Sequence, residues 1–201
     1  MQFSQDWRKL ALTAHIASSV GWLGAVIVFL GLALVGVRGE DDQLVRSVYI
    51  AMEALGWLVI MPFSVAALLS GLIQSAGTKW GFVRYYWVLS KLLITVGAGL
   101  LLLLHMQVMS TVAHAASAGT LATNHLRDPR MQLLGDAGAA SVVLLIAVAL
   151  SVFKPRGRTA FGRSPLDSPD EARTPMFYAF WATLGALLVA IVVRHLVHGT
   201  R

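Results

Sequence analysis

Mostly apolar segments recur five times along the chain, over residues 10–37, 48–74, 87–113, 131–153 and 176–193. Each is long enough to cross a hydrocarbon core about 30 Å thick, which takes roughly 20 residues of helix. The apolar positions do not alternate with polar ones, which excludes the strand pattern of a membrane barrel. Lipid offers no partner to free backbone groups, so the spans must be helices. The pattern predicts an all-α fold, an integral membrane bundle of five transmembrane helices that forms a single domain over residues 1–201. The first apolar run is well beyond the 7–15 residues of a cleavable signal peptide and reads as a retained helix.

Punctuation between and within the spans refines this layout. The run Lys154-Pro155-Arg156-Gly157-Arg158 ends the fourth span, and residues 154–175, rich in Pro, Gly, Ser and charge, read as a cytoplasmic linker. Pro62 carries no N–H, frees the carbonyl of Leu58 and predicts a kink in the second span. Helices in lipid approach one another over small residues. Gly21, Gly24 and Gly31 supply them on the first span, Gly97 and Gly99 on the third, and Gly135 and Gly138 on the fourth.

Composition sharpens the class. The chain is 57% hydrophobic and only 13% charged, with a mean hydropathy of +0.70, which excludes an ordinary water-soluble globule. Its cysteine count of 0 excludes disulfides, thiolate-ligated haem, iron–sulfur clusters and cysteine zinc sites. The net charge of +6 would suggest nucleic acid in a soluble protein. Here the basic residues lie between apolar runs, so no nucleic-acid partner is expected and the charges set topology. Of the 16 Lys and Arg, 10 fall on one side of the membrane and 6 on the other. The positive-inside rule then puts the N-terminus in the cytoplasm and the C-terminus outside, in a bacterial cytoplasmic (inner) membrane. Hydrolase chemistry finds no support: there is no nucleophile elbow, no HExxH and no phosphate-cradling glycine loop.

Candidate chemistry lies in the ionisable residues within the spans, which are costly unless paired, protonated or hydrated. These are His15, Glu53, Lys91, His105 and Asp136. With 1.5 Å of rise per residue, Glu53, His105 and Asp136 fall at one depth, roughly 20 Å above the inner edge, while His15 and Lys91 lie in the inner half. Three groups of metal-ligand type on three helices therefore predict an outer-half site for copper or another cation, with Met106 and Met109 nearby. Lys91, Thr95, Ala98, Leu102 and His105 share one stripe of the third span, and His114 faces away. Glu53, Gly56, Trp57, Ile60 and Ser64 form a second such face. His195, at the outer end of the fifth span, is the partner a bis-histidine haem site on His105 would use.

The run His15-Ile16-Ala17-Ser18-Ser19-Val20-Gly21-Trp22-Leu23-Gly24, with Tyr86-Trp87-Val88-Leu89-Ser90-Lys91-Leu92-Leu93, resembles uncharacterised bacterial polytopic membrane proteins. More distantly it is similar to the membrane protoporphyrinogen oxidase family and the copper-resistance D membrane domain. The resemblance implies that His15 is associated with b-type haem and that Lys91 belongs to the same site. Where the oxidase family has a Pro-Arg pair, this chain has Phe29-Leu30-Gly31-Leu32. The first expectation is a small membrane redox protein, an oxidoreductase that binds haem b through His15, Lys91, His105 and His195. The second is a copper-handling or transport protein that uses Glu53, His105 and Asp136. A third is a structural subunit of a membrane complex. Expected partners are the lipid bilayer, a membrane redox partner or quinone, and a second copy of the chain in a homo-oligomer.

Overall fold

The computed structural model describes residues 4–77, 85–121 and 127–153. The fifth expected span, the linker 154–175, His125 and His195 lie outside the described residues. Every regular element among those described is helical: α1 (Gln5–Arg38), α2 (Asp42–Leu55), a π-helical turn (Gly56–Ile60), α3 (Met61–Ala76), α4 (Tyr86–Ser117) and α5 (Arg127–Phe153). With α2, the π turn and α3 counted as one, there are 4 helices long and apolar enough to cross a membrane. They run past the expected spans at most ends, so polar ends such as Gln5 and Asp42 start helices that the hydropathy pattern begins later.

These four rods pack as a ring. α1 lies against the α2–α3 rod, that rod against α4, α4 against α5, and α5 against α1. Tyr49, Met52, Ile94, Met106, Met109 and Leu133 are fully buried where the rods face one another. Leu58, Leu100 and Phe153 point outward with 75%, 60% and 82% of their surface exposed. Apolar side chains this exposed on every rod suit a bilayer, where lipid covers them, and would be a liability in water.

The turns follow from local chemistry. Asp41 caps α2, its carboxylate accepting hydrogen bonds from the backbone N–H of Gln43 at 2.8 Å and of Leu44 at 3.3 Å. α4 stops at Gly119, whose φ of +75° closes the helix with a bond from Thr120 N–H to the Ala115 carbonyl.

The break at Pro62 takes a different form from a simple kink. The N–H of Met61 reaches back five residues to the Gly56 carbonyl, so the chain inserts a π turn before the proline. A π turn holds more residues than an α turn, and it rotates everything beyond it relative to α2. The expected face is split. Gly56, Ile60 and Ser64 are buried, whereas Trp57 is exposed and Glu53 only half-buried.

At the far end of α1, Arg130 ties three rods together. Its Nε donates to the Tyr49 hydroxyl at 3.0 Å, its Nη2 donates to the Gly36 carbonyl, and its guanidinium carbon lies 5.3 Å from the centre of the Tyr49 ring. The glycines that permit close approach are not mainly the expected ones. A Cβ on Gly36 would sit 2.6 Å from the Tyr49 ring, on Gly56 2.8 Å from Met106, and on Gly21 2.7 Å from Phe63. Gly24, Gly31, Gly97, Gly99 and Gly138 have open space at that position. Gly36→Ala should therefore destabilise the protein by about 1–3 kcal/mol through overpacking. Gly97→Ala should stay within about 0.5 kcal/mol of wild type. Denaturant or thermal unfolding in detergent reads the difference.

Candidate functional site

Two polar clusters occupy the interior of the ring, and each contains a histidine predicted from the sequence. The first joins α4 to α5. His105 and Asp136 each keep only 8% of their surface exposed, and Nδ1 of His105 lies 3.3 Å from Oδ2 of Asp136. With the carboxylate ionised, Nδ1–H is the donor and Oδ2 the acceptor. The ring of Phe29, from α1, packs against the imidazole with centroids 5.5 Å apart and planes tilted by 60°. The imidazole is thus fixed by a hydrogen bond on one side and an aromatic contact on another.

The second cluster joins α1, α3 and α4. Nδ1 of His15 is 3.2 Å from both the Ala67 carbonyl and Ser70 Oγ. A carbonyl only accepts, so Nδ1 carries the proton, and Nε2 keeps its lone pair toward Lys91 Nζ at 3.4 Å. Ser18 Oγ lies 3.3 Å from Ser70 Oγ and extends the cluster one turn along α1. The ring of His15 fits because position 71 is glycine; a Cβ there would meet the imidazole at 3.1 Å.

Between the clusters lies a cavity of about 80 Å³. Its wall includes Trp22 and Phe29 of α1, Gly56 and Ile60 of the π turn, Ala98 and Leu102 of α4, and Ala140 and Leu144 of α5. His105 and Asp136 also face it. The stripe Ala98, Leu102 and His105 that the spacing predicts on the third span is therefore a cavity wall.

The expected sites are assembled in part. His105 meets Asp136, and His15 meets Lys91, but the two histidines belong to different clusters. Among the described residues no group of three or more His, Asp and Glu could hold a metal ion. Glu53 does not complete the outer-half trio, because the turn that buries Met52 leaves Glu53 on the flank of α2. Met106 and Met109 are core residues, Met106 packing on Gly56. His114 is exposed, as its spacing from His105 requires. Sequence reasoning missed Tyr49 and the role of Arg130, which it counted only as a topology charge. A tyrosine buried among apolar residues of a span needs a partner for its hydroxyl, and that is the signal that could have found the pair.

No family model, no curated protein and no solved structure matches the chain.

Asp136→Ala would leave Nδ1 of His105 buried without its acceptor, a loss expected to cost about 1–3 kcal/mol. Glu53→Gln, off the site, should change stability by less than about 0.5 kcal/mol. Unfolding of both variants beside wild type distinguishes the built pair from the outlying carboxylate.

Proposed function

We propose that this protein is a small multi-pass membrane redox protein whose working site is a proton relay formed by His105 and Asp136. The observation that carries this reading is a histidine–carboxylate hydrogen bond buried in the wall of a cavity, inside helices built to cross a bilayer. Ionisable groups in such a position are costly and serve proton or ion pathways. The chemistry balances within the pair. A proton arriving at Nε2 of His105 from the cavity lets the Nδ1 proton pass to Asp136 Oδ2. Imidazole stays neutral throughout, and the net charge of the pair goes from −1 to 0.

The cavity suits this task. Water needs roughly 10–15 Å³ of such space per molecule together with polar partners. The cavity of about 80 Å³ has almost wholly apolar walls, so the end at His105 and Asp136 is where it can hold water. A membrane-soluble quinone, whose reduction takes up protons along with electrons, is the class of redox partner that needs such a relay. The ten-to-six distribution of basic residues supports five spans, with the N-terminus in the cytoplasm of a bacterial inner membrane.

A second reading is favoured by one detail. A histidine whose Nδ1–H is held by a carboxylate presents Nε2 as a metal ligand, the arrangement an axial ligand of b-type haem uses. Cofactor pockets measure about 300–1,000 Å³. At about 80 Å³ the space among the described residues is smaller than such a pocket, and no step is assigned to haem. Copper finds only His105 and Asp136, too few donors among the described residues.

Infrared titration of the protein in bilayers tests the relay. A carboxylic-acid band should titrate with pH and vanish in Asp136→Asn; a band that ignores this substitution, or none at all, overturns the relay. A reduced-minus-oxidised spectrum tests the second reading. A Soret band lost in His105→Ala would favour haem, and its absence would leave the relay alone.

A further inference from the structure

Two polar side chains stand outside both clusters, within helices long and apolar enough to cross a membrane. Glu53 on α2 is half-buried, and Gln107 on α4 is exposed. Among the described residues, neither the carboxyl of Glu53 nor the side-chain amide of Gln107 has a hydrogen-bond partner. Lipid offers such groups nothing to bond to, and leaving them in that state is costly. The surface that carries them therefore calls for a partner with donors and acceptors of its own.

Both side chains belong to one edge of the ring. Arg46 reaches across to α4, its Nη1 lying 3.3 Å from where a Cβ on Gly119 would be, and Met106 of α4 packs on Gly56. α2 and α4 are therefore antiparallel neighbours. Glu53 is seven residues from Arg46, within roughly 20° of it around the helix, so it lies on the flank of α2 beside α4. On α4, His105 faces the cavity and Met106 faces α2, and the next step of about 100° turns Gln107 outward on the α2 side. Glu53 is three residues from Gly56 toward the Arg46 end, and Gln107 is one residue from Met106 toward the Gly119 end. At 1.5 Å of rise per residue the two stand about 3 Å apart in height.

A shared height is what a parallel pair of copies needs. Two copies that cross one bilayer in the same sense are related by a two-fold axis along the membrane normal, which brings together residues of equal height. We propose that two copies of this chain pair through the α2–α4 edge, the Gln107 amide N–H of each donating to the Glu53 carboxyl of the other. A carboxyl oxygen accepts in either protonation state, and the amide supplies the donor. The symmetry makes the bond twice, so both carboxyls and both amides find partners. Bonds of this type hold helices together in lipid, where there is no hydrophobic drive between them. The expected fifth span is a poorer occupant of this edge, since it carries no polar side chain from Leu184 to Val193. The inference goes beyond the relay reading and does not depend on it.

A cysteine count of 0 makes single-cysteine variants clean reporters of contact. Leu103 lies one turn from Gln107 on the same edge and Leu145 lies on α5, and their exposures of 49% and 52% are matched. Oxidation in bilayers should link Leu103→Cys into a disulfide dimer and leave Leu145→Cys unlinked. Energy transfer between separately labelled copies, followed as added lipid dilutes them, measures the pairing. Glu53→Leu and Gln107→Leu should each weaken it by about tenfold or more. Glu53→Gln keeps an acceptor oxygen and should pair as wild type. No energy transfer in wild type, equal linkage at the two cysteine positions, or leucine variants that pair as wild type would overturn the proposal. Glu53→Gln as weak as Glu53→Leu would show that charge holds the copies together, which overturns the hydrogen bond.

Discussion

A carboxyl group and an imidazole halfway along apolar helices have no bulk water to turn to. Leaving either unpartnered in that setting costs more than most single packing contacts contribute. His105 and Asp136 meet this constraint by bonding to each other across the α4–α5 interface, and the rest of the bundle is arranged around that contact. Phe29 closes over the imidazole from α1, the π turn supplies the opposite wall through Gly56 and Ile60, and the space left between them is the cavity. If the pair were lost, the cavity would have only apolar walls of any consequence, and an apolar cavity stays dry.

The remote end of the ring is held by a different polar device. Arg130 reaches the Gly36 carbonyl and the Tyr49 hydroxyl, so one guanidinium bridges α1, α2 and α5. Asp136 lies six residues further along α5 from Arg130, on the same rigid helix. The clasp therefore helps to set the depth at which the carboxylate meets His105. Backbone and side-chain partners of this kind have greater value in lipid than the apolar contacts between helices, because lipid tails solvate apolar surface as well as a neighbouring helix does.

Much of this was legible in the sequence. Span length foretold five crossing helices, four of which stand among the described residues, and the 1.5 Å rise brought His105 and Asp136 to one depth before any contact was known. The 14-residue spacing of Lys91 and His105 marked the face of α4 that lines the cavity. The depth argument failed for Glu53 because depth is not direction: α2 turns Met52 into the core and leaves its neighbour Glu53 only half-buried. Depth put His15 and Lys91 in the same inner half, but a flexible lysine stem gives no sequence sign of the partner it reaches. Close-packing glycines were misassigned for a related reason, since Gly36, Gly56 and Gly71 are chosen by the side chains of Tyr49, Met106 and His15 on other helices.

The central claim, that a buried and directed hydrogen bond joins His105 to Asp136, is tested most directly by nitrogen-15 NMR of His105 in bilayers. The account predicts a distinct, slowly exchanging resonance for a hydrogen-bonded Nδ1–H that disappears in Asp136→Asn. A His105 signal that averages its two nitrogens as free imidazole does, and that Asp136→Asn leaves unchanged, would contradict it.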